Sequence, residues 1–165
     1  MREHRLVNEI HIHRTPHEVF RYVTQPWRWH EWHPASQSAN ESAQELKVGD
    51  SFEETVSMQP FGFLPLRMRR QLRWTVFDSQ APHAWEAHGS SSTIDVRARY
   101  ELNPSNGTLF RRTFHYQVKG WLRWVERFFV LARMQQQSVL ALANLKRAME
   151  AQAPLLAPAD TKGPQ

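Results

Sequence analysis

The chain contains no cysteine. Disulfides, thiolate metal ligands and cysteine nucleophiles are thereby excluded, and a reducing, cytoplasmic setting is compatible with the composition. Long hydrophobic runs are absent too: nothing approaches the roughly 18 apolar residues of a membrane-spanning helix. The opening Met1-Arg2-Glu3-His4-Arg5 leads only into a short apolar alternation, so neither a transmembrane span nor a signal peptide is expected. There is no internal repeat. Charge of one sign is not concentrated either: the formal net charge is +5, but the arginines are spread over at least four segments. Dispersed charge of this kind marks a solvated face rather than a specific nucleic-acid surface. His11 and His13, and His30 and His33 with Glu31, have no third ligand or H-E-x-x-H order around them, so no metal and no cofactor is expected.

What the chain does have is aromatic weight and one long stretch without helix breakers. Its 165 residues suit a single domain that buries about 70% of its unfolded surface. Between Trp121 and Glu150 there is neither proline nor glycine, which allows one helix over 121–150. Trp121, Trp124, Val125, Phe128, Ala132, Val139, Leu142, Leu145 and Met149 recur at helical spacing and define a face for burial. That face is bulky in its first half and slim in its second, with Gln135, Gln136 and Gln137 between, a taper that suggests a cavity. From Ala151 onward proline and small residues dominate, so 151–165 is expected to be a disordered tail.

Ahead of that helix the pattern is mostly one of strands. Residues 6–13 alternate as a first strand. Thr15-Pro16-His17-Glu18 then forms a capping box with proline at the first helical position, so a short helix starts at Pro16. The segment 25–34 holds three tryptophans and two histidines, which implies a packed helical turn. Residues 35–46 read as a polar strand or loop. Five further strands follow at 51–59, 66–77, 83–88, 93–102 and 108–118, joined by short turn sequences and therefore antiparallel neighbours. Alternation in so many strands implies a sheet with one dry face, which only the helix at 121–150 is long enough to cover.

This order, with Thr15-Pro16-x-Glu18-Val19-Phe20, Trp32-x-Pro34, Val48-Gly49, Asn106-Gly107-Thr108 and Leu142-x-x-Leu145-Lys146, resembles the START-like (SRPBCC) superfamily. That group includes polyketide cyclase/dehydrase-like proteins and the birch-pollen allergen fold. The resemblance spans about residues 4–150. It implies an α+β helix-grip fold: a seven-stranded curved antiparallel sheet, two short helices and a long C-terminal helix packed over the concave face. Members often hold lipids, polyketides, hormones or other apolar molecules between sheet and helix; some are cyclases and others act on partner proteins. Fold alone does not choose among these.

The alternation adds a feature of its own, because it turns polar residues toward the dry face. A 3–4 hairpin centred on Gly62 sets Glu54 opposite Arg70, and Arg112 falls on an inward position of the last strand. Buried charges are costly unless paired, so either an ion pair fills a hole or an arginine anchors the carboxylate, carbonyl or phenolate of an apolar ligand. The candidate contacts are Trp32, Glu54, Arg70, Trp74, Trp85, Tyr100, Arg112, Phe114, Phe128 and Gln135. The leading expectation is a non-catalytic binder or carrier of a small hydrophobic ligand. A cyclase or dehydratase using Glu54 or His33 as general base is one alternative. A membrane-surface or protein-interaction module using the apolar tip at 60–65 is another.

Overall fold

The computed structural model describes residues 3–40, 45–58, 68–120 and 131–152. Strands β1 (His4–Ile12), β2 (Ser36–Ala39), β3 (Ser51–Met58), β4 (Met68–Gln80), β5 (Ala84–Ser90), β6 (Ile94–Pro104) and β7 (Thr108–Val118) form one sheet in the order β1-β7-β6-β5-β4-β3-β2. Every pairing is antiparallel. From β2 to β7 each strand simply turns back on its predecessor. The first strand is different: it pairs with the last, placing β7 between β1 and β6. Register shifts between Ser36 and Ser38 on β2 and between Val76 and Asp78 on β4 interrupt the ladder, and irregularities of this kind bend a sheet.

One face of the sheet is dry. Ile94, Val96, Ala98, Tyr100 and Leu102 of β6, and Phe110, Arg112, Phe114, Tyr116 and Val118 of β7, are all buried. On the other face Arg99 reaches Glu86 at 3.0 Å, Arg97 reaches Glu3 at 3.6 Å, and Arg111 pairs with Glu9. These three arginines thus form part of a solvated, ion-paired face.

Helix α1 (Pro16–Val23) begins as the sequence dictates: the Glu18 amide donates to Thr15 Oγ1 at 3.3 Å, and the Thr15 amide donates to Glu18 Oε2 at 2.9 Å. A 3-10 helix at Pro26–Glu31 follows. Its Trp29 is buried, donates Nε1–H to Val23 O at 2.8 Å, and meets Phe52, Trp74 and Trp85 edge to face at 5.4–6.1 Å. The tryptophan-rich segment is therefore pinned to the sheet by its rings.

Helix α2 (Leu131–Ala151) packs along β1 and touches the 3-10 helix. The part of the long helix expected at 121–130, including Phe128, the apolar tip at 60–65, and the tail from 153 lie outside the described residues. Within α2 the buried stripe is Ser138, Ala141, Leu142, Leu145 and Met149. Val139 is 56% exposed, and Ala132 also faces solvent, contrary to the expected face. A serine occupies the inward position that an apolar-only pattern assigned to its neighbour.

The β3–β4 register also corrects the sequence reading. Glu54 lies opposite Leu72, and Arg70 opposite Val56, a displacement of two residues. Face parity survives such a shift but partners do not. Arg70 is exposed and donates to the carbonyl of Arg69 at 3.1 Å. It makes no inward ion pair with Glu54.

Gly89 sits between Trp74 on β4 and Val96 on β6. A Cβ there would lie 2.8 Å from two Trp74 ring carbons and from Val96 Cγ2, so glycine is what lets the indole approach the β5 backbone. Gly89→Ala is expected to cost about 1–3 kcal/mol in urea denaturation through overpacking. An unchanged midpoint would show that the indole is not held against this backbone.

Candidate functional site

The dry face, the segment after the 3-10 helix and α2 enclose a cavity of about 70 Å3. At roughly 10–15 Å3 per water on this measure it holds about five waters, the space of a single six-membered ring. Its apolar lining includes Trp29, Val56, Leu72, Trp74, Ile94, Val96, Ala98, Phe114 and Met134, and its polar lining is His33, Glu54, Tyr100, Arg112, Gln137 and Ser138.

Arg112 is the organising polar group. It is 4% exposed, with Tyr100 across on β6 and Asn8 across on β1. Its Nη1 donates to Ser138 Oγ at 3.2 Å, and that hydroxyl donates onward to Asn8 Oδ1 at 2.6 Å. Its Nη2 donates to His33 Nε2 at 3.1 Å. The guanidinium carbon lies 4.7 Å from the Phe114 ring centroid, a cation–π contact. Nε closes no hydrogen bond of good geometry, although the Tyr100 phenol lies near enough to the guanidinium to interact with it, and among the described residues no carboxylate forms an ion pair with this side chain. Burial lowers its pKa, but guanidinium remains a cation in proteins. The cavity therefore contains a positive charge with spare donor capacity.

The neighbours adjust to that charge. An arginine can only donate, so His33 must accept at Nε2 and carry its proton on Nδ1. The 3.4 Å approach of the Ala35 amide to Nδ1 is then a packing contact rather than a second hydrogen bond. Burial and the Arg112 charge hold the His33 pKa well below the imidazole range, keeping it neutral. Tyr100 is pushed up to about 12, chiefly by burial, with Arg112 pulling the other way and Glu54 adding to the rise.

Glu54 is 4% exposed and accepts from Trp74 Nε1 at 2.9 Å. Burial raises its pKa to about 7, opposed by Ser36, Trp74 and the field of Arg112. The Ser36 hydroxyl is near enough to influence the carboxylate, but its geometry does not close a hydrogen bond. Glu54 is thus a carboxyl poised between its two forms at neutral pH.

Of the candidates chosen from sequence, Glu54, Trp74, Tyr100, Arg112 and Phe114 come together around the cavity. Trp85 and Trp32 are buried behind it: Trp85 stacks on Tyr100 at 5.2 Å, and Trp32 meets His33 edge to face at 5.8 Å. Arg70 and Gln135 are exposed. The helix residues that reach the cavity are instead Met134, Gln137 and Ser138. Ser138 was overlooked although it shares its helical stripe with Leu142 and Leu145, and that spacing was the available signal. The sequence offers His33 as a rejected metal ligand and as a possible base, with nothing local to pair it with an arginine 79 residues away. His30, the other histidine of the segment, turns its Nδ1 to Trp27 O at 2.8 Å.

A curved sheet gripped by a C-terminal helix around a cavity is the helix-grip architecture. The chain belongs to the family described as polyketide cyclase / dehydrase and lipid transport, whose pattern it matches over residues 3–150. Similar solved structures include a protein from Thermus thermophilus, at 14% identity and TM-score 0.67, covering 90% of this chain and 98% of that one. The protein Ara h 8.0201 aligns at 13% identity and TM-score 0.60, covering 91% of this chain and 99% of that one. The di-domain ARO/CYC BexL from the BE-7585A biosynthetic pathway aligns at 13% identity and TM-score 0.64, over 92% of this chain and 51% of BexL. No curated protein matches the chain. Among the described residues no helix is long and apolar enough to cross a membrane.

The raised Glu54 pKa makes a signed prediction. Between about 4.5 and about 7 the native protein keeps a proton on Glu54 that the unfolded chain has released, so this group's contribution to stability falls as pH rises through that window. Relative to Glu54→Gln, the wild type should lose about 3 kcal/mol across it. The opposite contribution of neutral His33, which favours the fold as pH rises toward 6.5, is common to both proteins and cancels. Urea denaturation of each at several pH values measures the difference, and a pH-independent difference contradicts it.

Proposed function

We propose that the chain binds a small, mainly apolar molecule of about one ring in size and anchors an oxygen of it at Arg112. The observation that carries this reading is the buried Arg112 cation, which lines a mainly apolar cavity with no carboxylate among the described residues paired to it. A buried cation without an ion pair is expensive to retain, and a packed apolar side chain would be cheaper. A ligand carboxylate, carbonyl or phenolate would supply the missing acceptor. A ligand the size of a polyketide or lipid would need the walls to part, since such pockets usually run to several hundred Å3. Family membership favours ligand binding without naming the ligand. Residues 4–150 would form the binding domain, and the cysteine-free composition suits a cytoplasmic protein.

A second reading has its own support. Glu54 and Arg112 share one cavity, and a carboxyl near pKa 7 beside a cation suits proton transfer with stabilisation of an enolate. The family description covers cyclases and dehydrases. The interaction-module reading is less favoured, because Arg97, Arg99, Arg111 and Lys119 on the outer face each meet a carboxylate.

Arg112→Met separates binding from packing. Losing a charge-assisted hydrogen bond should weaken a bound oxygen-bearing ring compound by about 10- to 100-fold, while stability holds or rises once the unpaired cation is removed. Native mass spectrometry of protein purified without detergent, with extraction of any retained small molecule, identifies the ligand in the wild type and its loss in the variant. Equal retention by both proteins would rule out Arg112 as the anchor. For the enzymatic reading, Glu54→Gln should abolish turnover of the identified compound while leaving it bound.

A further inference from the structure

We propose that the cavity selects acids: its ligand is a ring-sized carboxylate or sulfonate that binds as the anion at Arg112 while Glu54 takes up a proton from solvent. This rests on the binding reading above and adds the ligand's charge and a coupled proton.

The inference follows from counting charges around one small space. Arg112 contributes a permanent cation that no carboxylate among the described residues pairs, and Glu54 lines the same cavity without forming an ion pair with it. An anionic ligand would place a second negative charge within a volume of about 70 Å3. One cation cannot offset two desolvated anions, so one of them must become neutral. An ordinary carboxylic acid is more acidic than Glu54, whose pKa is already near 7 without a ligand. The proton therefore goes to the protein. Once protonated, Glu54 gains an O–H that can donate to the ligand anion, a short and strong class of hydrogen bond.

Among the described residues no other group facing Glu54 can take that role. Trp74 on β4 donates an indole N–H and does not titrate; Leu72, opposite on the same strand, is apolar. Ser36 on β2 offers a hydroxyl, and Tyr100 on β6 stays neutral until about pH 12. His33 is kept neutral by burial and by Arg112, so a proton there would be repelled. From α2, Met134, Gln137 and Ser138 carry no charge. Binding of an anion is thereby linked to Glu54 alone.

Isothermal titration with benzenesulfonate, which stays ionised throughout, tests the linkage without titration of the probe. Affinity should fall about tenfold between pH 6 and pH 8. At pH 7, measurements in two buffers of different ionisation enthalpy should give uptake of about half a proton on binding. Glu54→Gln should bind at the wild-type pH 6 level at every pH, and the neutral probe benzyl alcohol should bind wild type without pH dependence. Wild-type affinity independent of pH, or pH dependence that persists in Glu54→Gln, overturns the proposal. If benzyl alcohol binds and benzenesulfonate does not, acid selection is wrong while the binding reading stands. If neither binds at millimolar concentration, both fall. Should Glu54→Gln fail to fold, the wild-type proton count decides alone, since zero uptake contradicts the mechanism.

Discussion

The Arg112 guanidinium is the constraint to which the rest of the interior answers. It lies on a central strand, nearly inaccessible, and it cannot neutralise itself by losing a proton. Each polar group near it is therefore fixed in kind. Ser138 must accept, which sends its own proton to Asn8, and His33 must be the Nδ1–H tautomer; Tyr100 keeps its phenol protonated because burial outweighs the pull of the cation. This chain of hydrogen bonds joins β1, β7, α2 and the segment after the 3-10 helix through one side chain. Replacing it with a hydrophobe would simplify the core, so its presence is better explained by what it binds than by what it stabilises.

Topology explains why these groups meet. Because β1 returns to pair with β7, Asn8 stands beside Arg112, and α2, lying along β1, brings Ser138 above both. Trp29 locks the 3-10 helix onto Phe52, Trp74 and Trp85, which carries the following His33 over the sheet. Trp74 then serves two purposes: its ring packs against Trp29 and across Gly89, and its N–H restrains Glu54. Glu54 on β3 and Arg112 on β7 are thus held by separate parts of the core.

Much of this was legible from local pattern. Period-two alternation assigned the inward faces of β6 and β7, including the inward position of Arg112, because parity depends only on the pleat. The capping box fixed the start of α1 because all its partners lie within four residues. Features set by long-range geometry were not readable. The β3–β4 partners depended on a turn whose centre was misplaced by one residue, enough to set Arg70 opposite Glu54 in expectation and Leu72 opposite it in fact. Polar residues on the buried helix stripe were equally hidden: Gln135 was chosen from the change in side-chain size, whereas Ser138 is buried because Arg112 and Asn8 need its hydroxyl. The cavity's small volume depends on how Trp29, Trp74 and Tyr100 interlock, and no sequence pattern encodes that.

The central claim is that the unpaired Arg112 cation is there to hold a ligand oxygen. NMR observation of the arginine Nε–H resonances during titration with benzoate tests it most directly. A saturable, selective shift of the Arg112 Nε–H signal, with slower exchange with water, is the predicted result. An Arg112 signal unmoved at benzoate concentrations that perturb other sites would contradict the account.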